Sequence, residues 1–303
     1  MVKQRVRAIL SDYDGTLVPT SNVKSPKENV ITNDLVEILK KISTEIPVCV
    51  ISTKDFEFLR KKTSSFARML SCMAGIETVV LTNLESPSSA IVKERLLYAD
   101  LATLEVNSEI LNAIAQAVIL QEEFRHLLIE YKHTTDGILA GLTIDWRNSN
   151  DWSYYGKCIS HFISKIISSL KREPVPINLY VQQYCTHPFI DIYSIECNKG
   201  MAFDNLLSEL ALATTSTTTT TQADDDNNKS VNEGCTLYLG DSENDNPAFR
   251  KADISIGIRS DARLNPKLDC SYFLHYKELA PFLMSLREND YVFTGEILAS
   301  RSA

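Results

Sequence analysis

The sequence has no apolar run approaching the ~18 residues that a membrane-crossing helix needs. Its basic opening, Met1 to Arg7, is followed only by Ala8-Ile9-Leu10 before polar residues resume, too little for the apolar core of a signal peptide. A cationic excess is also missing. Lys and Arg number 31 against 39 Asp and Glu, so the formal net charge is −8 and the pI about 5.3. Such a chain carries no electrostatic footprint for nucleic acid or an anionic membrane, and neither is expected as a partner. Seven cysteines are present, an odd number, with no pair at a CxxC spacing. This argues against a disulfide framework and a structural zinc site. The expectation is a soluble, cytoplasmic protein whose cysteines act as small buried hydrophobes.

What is present is enough chain for about two domains: 303 residues, 44% of them hydrophobic. Val6 to Leu10 predicts a short buried strand that breaks at Ser11-Asp12-Tyr13-Asp14-Gly15. Helical spacing of Ile31, Leu35, Ile38, Leu39 and Ile42 predicts a helix, Val48 to Ile51 a second strand, and Asp55 to Ser64 another helix. This alternation implies an open α/β fold, a parallel sheet with helices on both faces. Between residues about 83 and 194 the pattern changes to α+β. Strands are predicted at His126–Glu130, Ile138–Trp146, Ile177–Gln182 and Phe189–Ile195, and helices at Val106–Glu123 and Lys157–Lys171. The open-sheet pattern returns with a helix at Met201–Leu212, a strand at Cys235–Leu239, a short helix at Pro247–Lys251, a strand at Ile254–Ile258 and a closing helix at Leu279–Arg287. Residues 1–82 and 195–303 are therefore assigned to the core and 83–194 to an insert. The polar, Thr- and Asp-rich segment 213–230 predicts a disordered loop within the core.

Two acidic clusters sit where strands end, the position at which such sheets open into a ligand crevice. Asp12-Tyr13-Asp14-Gly15-Thr16 follows the first strand, and Gly240-Asp241-Ser242-Glu243-Asn244-Asp245 follows Cys235–Leu239. Carboxylates placed together repel and call for a cation or a shared proton. Oxygen ligands with no His or Cys beside them favour a hard cation, Mg²⁺ above zinc. Ser52 and Thr53 end the second strand with hydroxyls, and Lys199 precedes a helix where its ammonium could neutralise a phosphoryl group.

The order Asp-x-Asp-Gly-Thr, strand-end hydroxyl, Lys, Gly-Asp-x-x-x-Asp resembles the haloacid dehalogenase superfamily of phosphotransferases. The insert resembles that superfamily's α+β cap. Ile51-Ser52-Thr53-Lys54-Asp55-Phe56-Glu57-Phe58-Leu59 is similar to the ISGRDxxFL stretch of trehalose-6-phosphate phosphatases, with Thr53 for Gly and Lys54 for Arg. Tyr238-Leu239-Gly240-Asp241 and Ala248-Phe249 match their YLGDDxTDExAF; Ile129-Glu130-Tyr131-Lys132 and Trp146-Arg147 are similar to their IExK and HYR stretches. Ser242-Glu243-Asn244-Asp245 is closer to the GDSxND of mannosyl-3-phosphoglycerate and sucrose phosphatases. Asp191-Ile192-Tyr193-Ser194 stands where the family has EVRP.

The resemblance implies a doubly wound, Rossmann-like catalytic core with an inserted α+β cap, and hydrolysis of a sugar-phosphate monoester through an aspartyl-phosphate. Asp12 is the implied nucleophile and Asp14 the acid and base. Mg²⁺ is the implied cofactor, held by Asp12, Asp14 through its carbonyl, Asp241 and Asp245. Ser52 or Thr53, with Lys199, would hold the phosphoryl oxygens, and Lys132, Arg147 and Asp191 would face the sugar. Trehalose 6-phosphate is the expected substrate. The alternatives are mannosyl-3-phosphoglycerate or another phosphorylated sugar or glycerate, a phosphomutase, and a non-catalytic sugar-phosphate sensor.

Overall fold

The structure is a computed structural model and describes residues 3–19, 30–82, 91–170, 179–184, 187–215, 234–260 and 266–295. The strands are β1 (Gln4–Ser11), β2 (Val48–Ile51), β3 (Met69–Cys72), β4 (Glu77–Thr82), β5 (Ile91–Leu97), β6 (Leu128–His133), β7 (Leu139–Asp145), β8 (Tyr180–Gln183), β9 (Phe189–Tyr193), β10 (Cys235–Gly240), β11 (Ile254–Arg259), β12 (Tyr272–His275) and β13 (Val292–Phe293). The helices are α1 (Asn33–Ser43), α2 (Phe56–Thr63), α3 (Leu101–Leu120), α4 (Trp152–Leu170), α5 (Lys199–Thr215), α6 (Asn246–Phe249) and α7 (Leu279–Glu288).

The larger sheet runs β12-β11-β10-β1-β2-β3-β4-β5, with β13 added antiparallel to the start of β1. From β12 to β3 every pairing is parallel; β4 and β5 continue antiparallel. The central strands are buried on both faces, so they are nearly continuous apolar runs rather than alternating ones. Alternate residues of each strand still go to opposite layers. Ile9, Val48 and Val50 join Leu35, Leu39 and Ile42 of α1 and Phe282 and Leu286 of α7. Ala8, Leu10, Cys49 and Ile51 join Ala202, Phe203 and Leu206 of α5 and Ala248 and Phe249 of α6.

The second sheet is antiparallel, in the order β6-β7-β9-β8. One of its faces is apolar: Leu142, Ile144, Ile190 and Ile192 pack on Leu111, Ile114 and Val118 of α3 and Ile159 and Ile163 of α4. The register puts Glu130 opposite Thr143 and Thr143 opposite Asp191, with Lys132 opposite Gly141 and Gly141 opposite Tyr193. Side chains two apart on a strand share a face. Glu130, Lys132, Thr143, Asp191 and Tyr193 therefore form one polar face on the side away from the helices.

The helices predicted for the insert are present, beginning about five residues earlier, as α3 and α4. The core sheet, however, extends past residue 83. β5 pairs along β4, so the sheet ends at Leu97 and the cap's own elements begin with α3. A charged edge strand such as Ile91-Val92-Lys93-Glu94-Arg95-Leu96-Leu97 lacks the apolar run that marks the inner strands, so the sequence pattern alone does not reveal it. β3, β4, β12 and β13 were not predicted for similar reasons of brevity or mixed polarity. In the segment 213–230, residues 213–215 complete α5; the remainder lies outside the described residues.

Candidate active site

The ends of β1, β2 and β10 lie side by side, because β2 and β10 flank β1 in the sheet. The Asp12 amide donates to the Leu239 carbonyl at 2.9 Å, which fixes the first acidic loop against the strand that carries the second. The loop then folds back on itself, the Gly15 amide donating to Val18 O at 2.7 Å. Gly15 has φ +82°, and a Cβ there would lie 1.9 Å from Asp241 Oδ2. Only glycine admits both that backbone angle and the approach of Asp241. Thr16 Oγ1 completes the contact, 3.4 Å from Asp241 Oδ1.

Asp12 and Lys199 are almost fully buried, with Asp12 Oδ1 2.8 Å from Lys199 Nζ. Lys199 opens α5, whose start is capped by Asn198 Oδ1 accepting from the amides of Gly200 and Met201 at 3.0 Å each. The same ammonium donates to Asp245 Oδ1 at 2.7 Å. Asp245 Oδ1 also accepts from the Tyr238 hydroxyl at 2.6 Å. Its Oδ2 accepts from the Asp241 and Ser242 amides at 3.1 and 3.0 Å and from Ser242 Oγ at 3.1 Å. Asp245 thus shapes the loop that presents Asp241. Asp12, Asp241 and Asp245 each offer a carboxylate oxygen within 4.8 Å of the other two, a group able to hold a metal ion.

The local charge is unbalanced. Burial pushes the Asp12 carboxyl up to about 7, against the pull of Lys199 and with the repulsion of Asp245 and Asp14. Burial, then Asp12 and Asp245, hold Asp241 well above the carboxylate range. Burial alone would depress the Lys199 ammonium, but Asp12 and Asp245 raise it above its ordinary value. A divalent cation among these oxygens would relieve the repulsion, and hard oxygen donors without nitrogen or sulfur suit Mg²⁺.

Ser52, just past β2, is buried; its amide donates to Ser71 O at 3.0 Å and its Oγ accepts from the Lys54 amide at 3.2 Å. A tight turn after β3 braces this loop. Met73 and Ala74 take left-handed φ of 50° and 53° and donate their amides to Lys54 O and Ser52 O, both at 2.9 Å. A non-glycine residue in that region costs of order 1 kcal/mol or more, and the two hydrogen bonds offset part of it. Thr53 is half-buried in the same loop, and Asp14 half-buried in the first one.

In the cap, Lys132 and Asp191 are joined rather than separate: Lys132 Nζ lies 2.9 Å from Asp191 Oδ1, both 1% exposed. Lys132 also donates to the Tyr193 hydroxyl at 3.3 Å, and Thr143 Oγ1 donates to Asp191 Oδ1. Among the described residues, Asp191 Oδ2 is buried without a hydrogen-bond partner. Arg147 is turned back onto its own loop, its Nε 2.5 Å from Asp145 Oδ2. Its charge still acts on Glu130 and His187.

Residues not anticipated complete the site. Lys54 Nζ lies 3.1 and 2.8 Å from the two carboxylate oxygens of Glu130 in the cap. His187, in the β8–β9 connection, is held below its usual value by burial and by Lys199, against the opposing influence of Asp245 and Asp191. The sequence signals for Lys54 and Glu130 are their places in the stretches similar to ISGRDxxFL and IExK.

No family model matches the chain, and no curated protein matches it in sequence. Solved structures do. The C-terminal domain of Candida albicans trehalose-6-phosphate phosphatase is 18% identical with a TM-score of 0.61, over 95% of this chain and 94% of that one. A trehalose-6-phosphate phosphatase related protein is 14% identical with a TM-score of 0.59, over 93% and 97%. A haloacid dehalogenase-like hydrolase from Bacteroides thetaiotaomicron is 16% identical with a TM-score of 0.55, over 93% and all of that chain. At these identities the likeness establishes the fold alone: an α/β, Rossmann-like core with an inserted cap, as in those structures.

Proposed function

We propose that the protein is a Mg²⁺-dependent phosphatase that removes phosphate from a sugar-phosphate monoester, with trehalose 6-phosphate as its substrate. The observation that carries this reading is the buried Asp12, bonded to Lys199 and clustered with Asp241 and Asp245 at the sheet's carboxyl end. Two of the solved structures named above are a trehalose-6-phosphate phosphatase and a related protein, which supports the choice of sugar.

Asp12 Oδ attacks phosphorus in line; the new O–P bond forms as the ester O–P bond breaks, and the leaving alkoxide takes a proton from Asp14. Asp14 then takes a proton from the water that attacks phosphorus; the acyl O–P bond breaks, phosphate leaves, and Asp12 returns to its carboxylate and Asp14 to its protonated form. Lys199 neutralises Asp12 and the incoming phosphoryl oxygens, and the Ser52–Thr53 loop offers further donors. Mg²⁺ held by Asp12, the Asp14 carbonyl, Asp241 and Asp245 would supply charge neutralisation between nucleophile and phosphate. Positioning and electrostatics account for most of the acceleration.

The cap favours an uncharged sugar over a glycerate. Among the described residues, three cations on or against its polar face are each matched by a carboxylate: Lys54 of the core by Glu130, Lys132 by Asp191, Arg147 by Asp145. A substrate with its own carboxylate would need an unmatched cation there. Hydroxyls suit paired charges, donating to an orphan oxygen such as Asp191 Oδ2 and accepting from the cations.

The test is phosphate release from a panel of phosphorylated sugars and glycerates, with Mg²⁺ and in excess EDTA. The reading expects Mg²⁺-dependent turnover with trehalose 6-phosphate preferred over glucose 6-phosphate. Full activity in EDTA removes the metal assignment; preference for mannosyl-3-phosphoglycerate removes the sugar.

A further inference from the structure

β6 is an edge strand of the cap sheet, and it meets the core in two places. Near its start, Glu130 takes the Lys54 ammonium. Past its end, in the turn to β7, the Thr135 amide and hydroxyl donate to Glu77 Oε1 at 3.0 and 2.7 Å. Arg95 links the same places, its Nε 2.5 Å from Glu77 Oε1 and its NH1 on Asp136. The two contacts differ in what it costs to break them. Glu77 is fully buried in β4, so withdrawing the turn would strip partners from a carboxylate with no access to water. The Lys54–Glu130 pair has side chains 21% and 41% exposed, so both ends can be hydrated when they part.

Lys54 is also seated against the catalytic loop. Its backbone is fixed at both ends, by Ser52 Oγ and the Met73 amide. Its ammonium lies 5.4 Å from the centre of the Phe58 ring, and that ring packs edge-on, at 5.4 Å, against Tyr13 between Asp12 and Asp14. Burial alone would lower this ammonium, yet Asp14 and Glu130 raise it, so it carries its charge while bridging core and cap.

We propose that Lys54 is a positioning residue that latches the cap over the catalytic carboxylates through Glu130, while the Glu77–Thr135 cluster is the fixed pivot about which the cap lifts. This rests on the phosphatase reading only for its kinetic consequence. Opening breaks the Lys54 end and keeps the Glu77 end. A substrate large enough to touch the cap gains from the latch; a small phosphate ester does not.

The test uses the full chain and two readouts. Reductive methylation, followed residue by residue by mass spectrometry, reports cap lifting through Lys132, which is 1% exposed on the cap's polar face. In Lys54→Met and in Glu130→Gln, Lys132 should be modified about threefold to tenfold faster, the population shift expected from losing one partly exposed charged pair. Lys54→Arg should stay within about twofold of the parent, since it keeps the cation. The Thr135 amide should stay protected from hydrogen exchange in these variants and lose protection in Glu77→Gln. In kinetics, Lys54→Met and Glu130→Gln should raise KM for trehalose 6-phosphate about tenfold, and Lys54→Arg should stay within about threefold of the parent. Unchanged Lys132 labelling in both variants overturns the latch. So does a Lys54→Met variant that slows para-nitrophenyl phosphate turnover while Glu130→Gln leaves it intact, because Lys54 then acts on the reaction itself. If the parent releases no phosphate from any ester, the phosphatase reading fails, and the labelling pattern still decides the latch.

Discussion

The core loops and the cap's polar face handle buried charge in opposite ways. In the core, Asp12 and Asp245 share one ammonium, Lys199, with Asp241 beside them, and Asp12 is pushed up to about 7 by burial and its acidic neighbours. On the cap side, Lys54, Lys132 and Arg147 each have a carboxylate of their own. An unbalanced acidic cluster is suited to receive a cation, and a balanced one to meet neutral polar groups. On the phosphatase reading proposed above, the first region sets the chemistry and the second the selectivity.

The sharpest break of the core is Asp12→Asn. An amide cannot form the acyl-phosphate by this route, so phosphate release should fall by at least about a thousandfold while substrate binding by calorimetry persists. Turnover within tenfold of the parent would move the nucleophile elsewhere.

Lys199→Met comes next. It leaves Asp12 and Asp245 buried without their cation, and breaking a buried pair from one side costs about 3–5 kcal/mol. Urea unfolding of the metal-free protein should show a loss of that order, with turnover also severely reduced. A change below about 1 kcal/mol would mean that the acidic cluster does not depend on this ammonium.

The charge excess should also be visible in pH. The folded Asp12 carboxyl lies near 7 against 3.8 for the free group, so the metal-free folded state holds more protons than the unfolded chain between those values. Its stability therefore falls as pH rises from about 4 to about 7 through this group, where an ordinary paired carboxylate would make it rise. Mg²⁺ competes with that proton. With Asp241 also raised by burial and its acidic neighbours, Mg²⁺ affinity should climb across the same window and beyond it, with proton release detectable by calorimetry in buffers of different ionisation enthalpy. Affinity independent of pH from 5 to 8 would contradict the cluster as the metal site.

The smallest effect is expected in the cap. Arg147→Ala should shrink the kcat/KM preference for trehalose 6-phosphate over glucose 6-phosphate by about tenfold, the worth of one charged hydrogen bond, and barely change an aryl phosphate. Because Arg147 is tied to Asp145 and one-third exposed, an unchanged ratio would place sugar recognition on Lys132 and Asp191 alone.

The sequence by itself marked the candidate core cluster because its parts are local. A strand's apolar run ends in a carboxylate loop at Asp12 and again at Asp241, and a parallel sheet must bring such ends to one edge. Gly15 could be seen as a turn, and Lys199 as a cation before a helix. Only the tertiary structure decided that Gly15 must also leave room for Asp241, that five hydrogen bonds commit Asp245 to shaping the loop, and that the Met73–Ala74 turn braces Ser52. The same holds for β5, which the sequence reading assigned to the insert and the structure pairs with β4. It holds most for the cap, where Thr143 and Tyr193 reach Asp191 and Lys132 through antiparallel register, and Lys54 meets Glu130 across 76 residues of chain. Hydrophobic periodicity records which face of a strand is buried. It does not record which strand lies alongside or which charge waits across the cleft, because those follow from long-range packing and not from the spacing of neighbours.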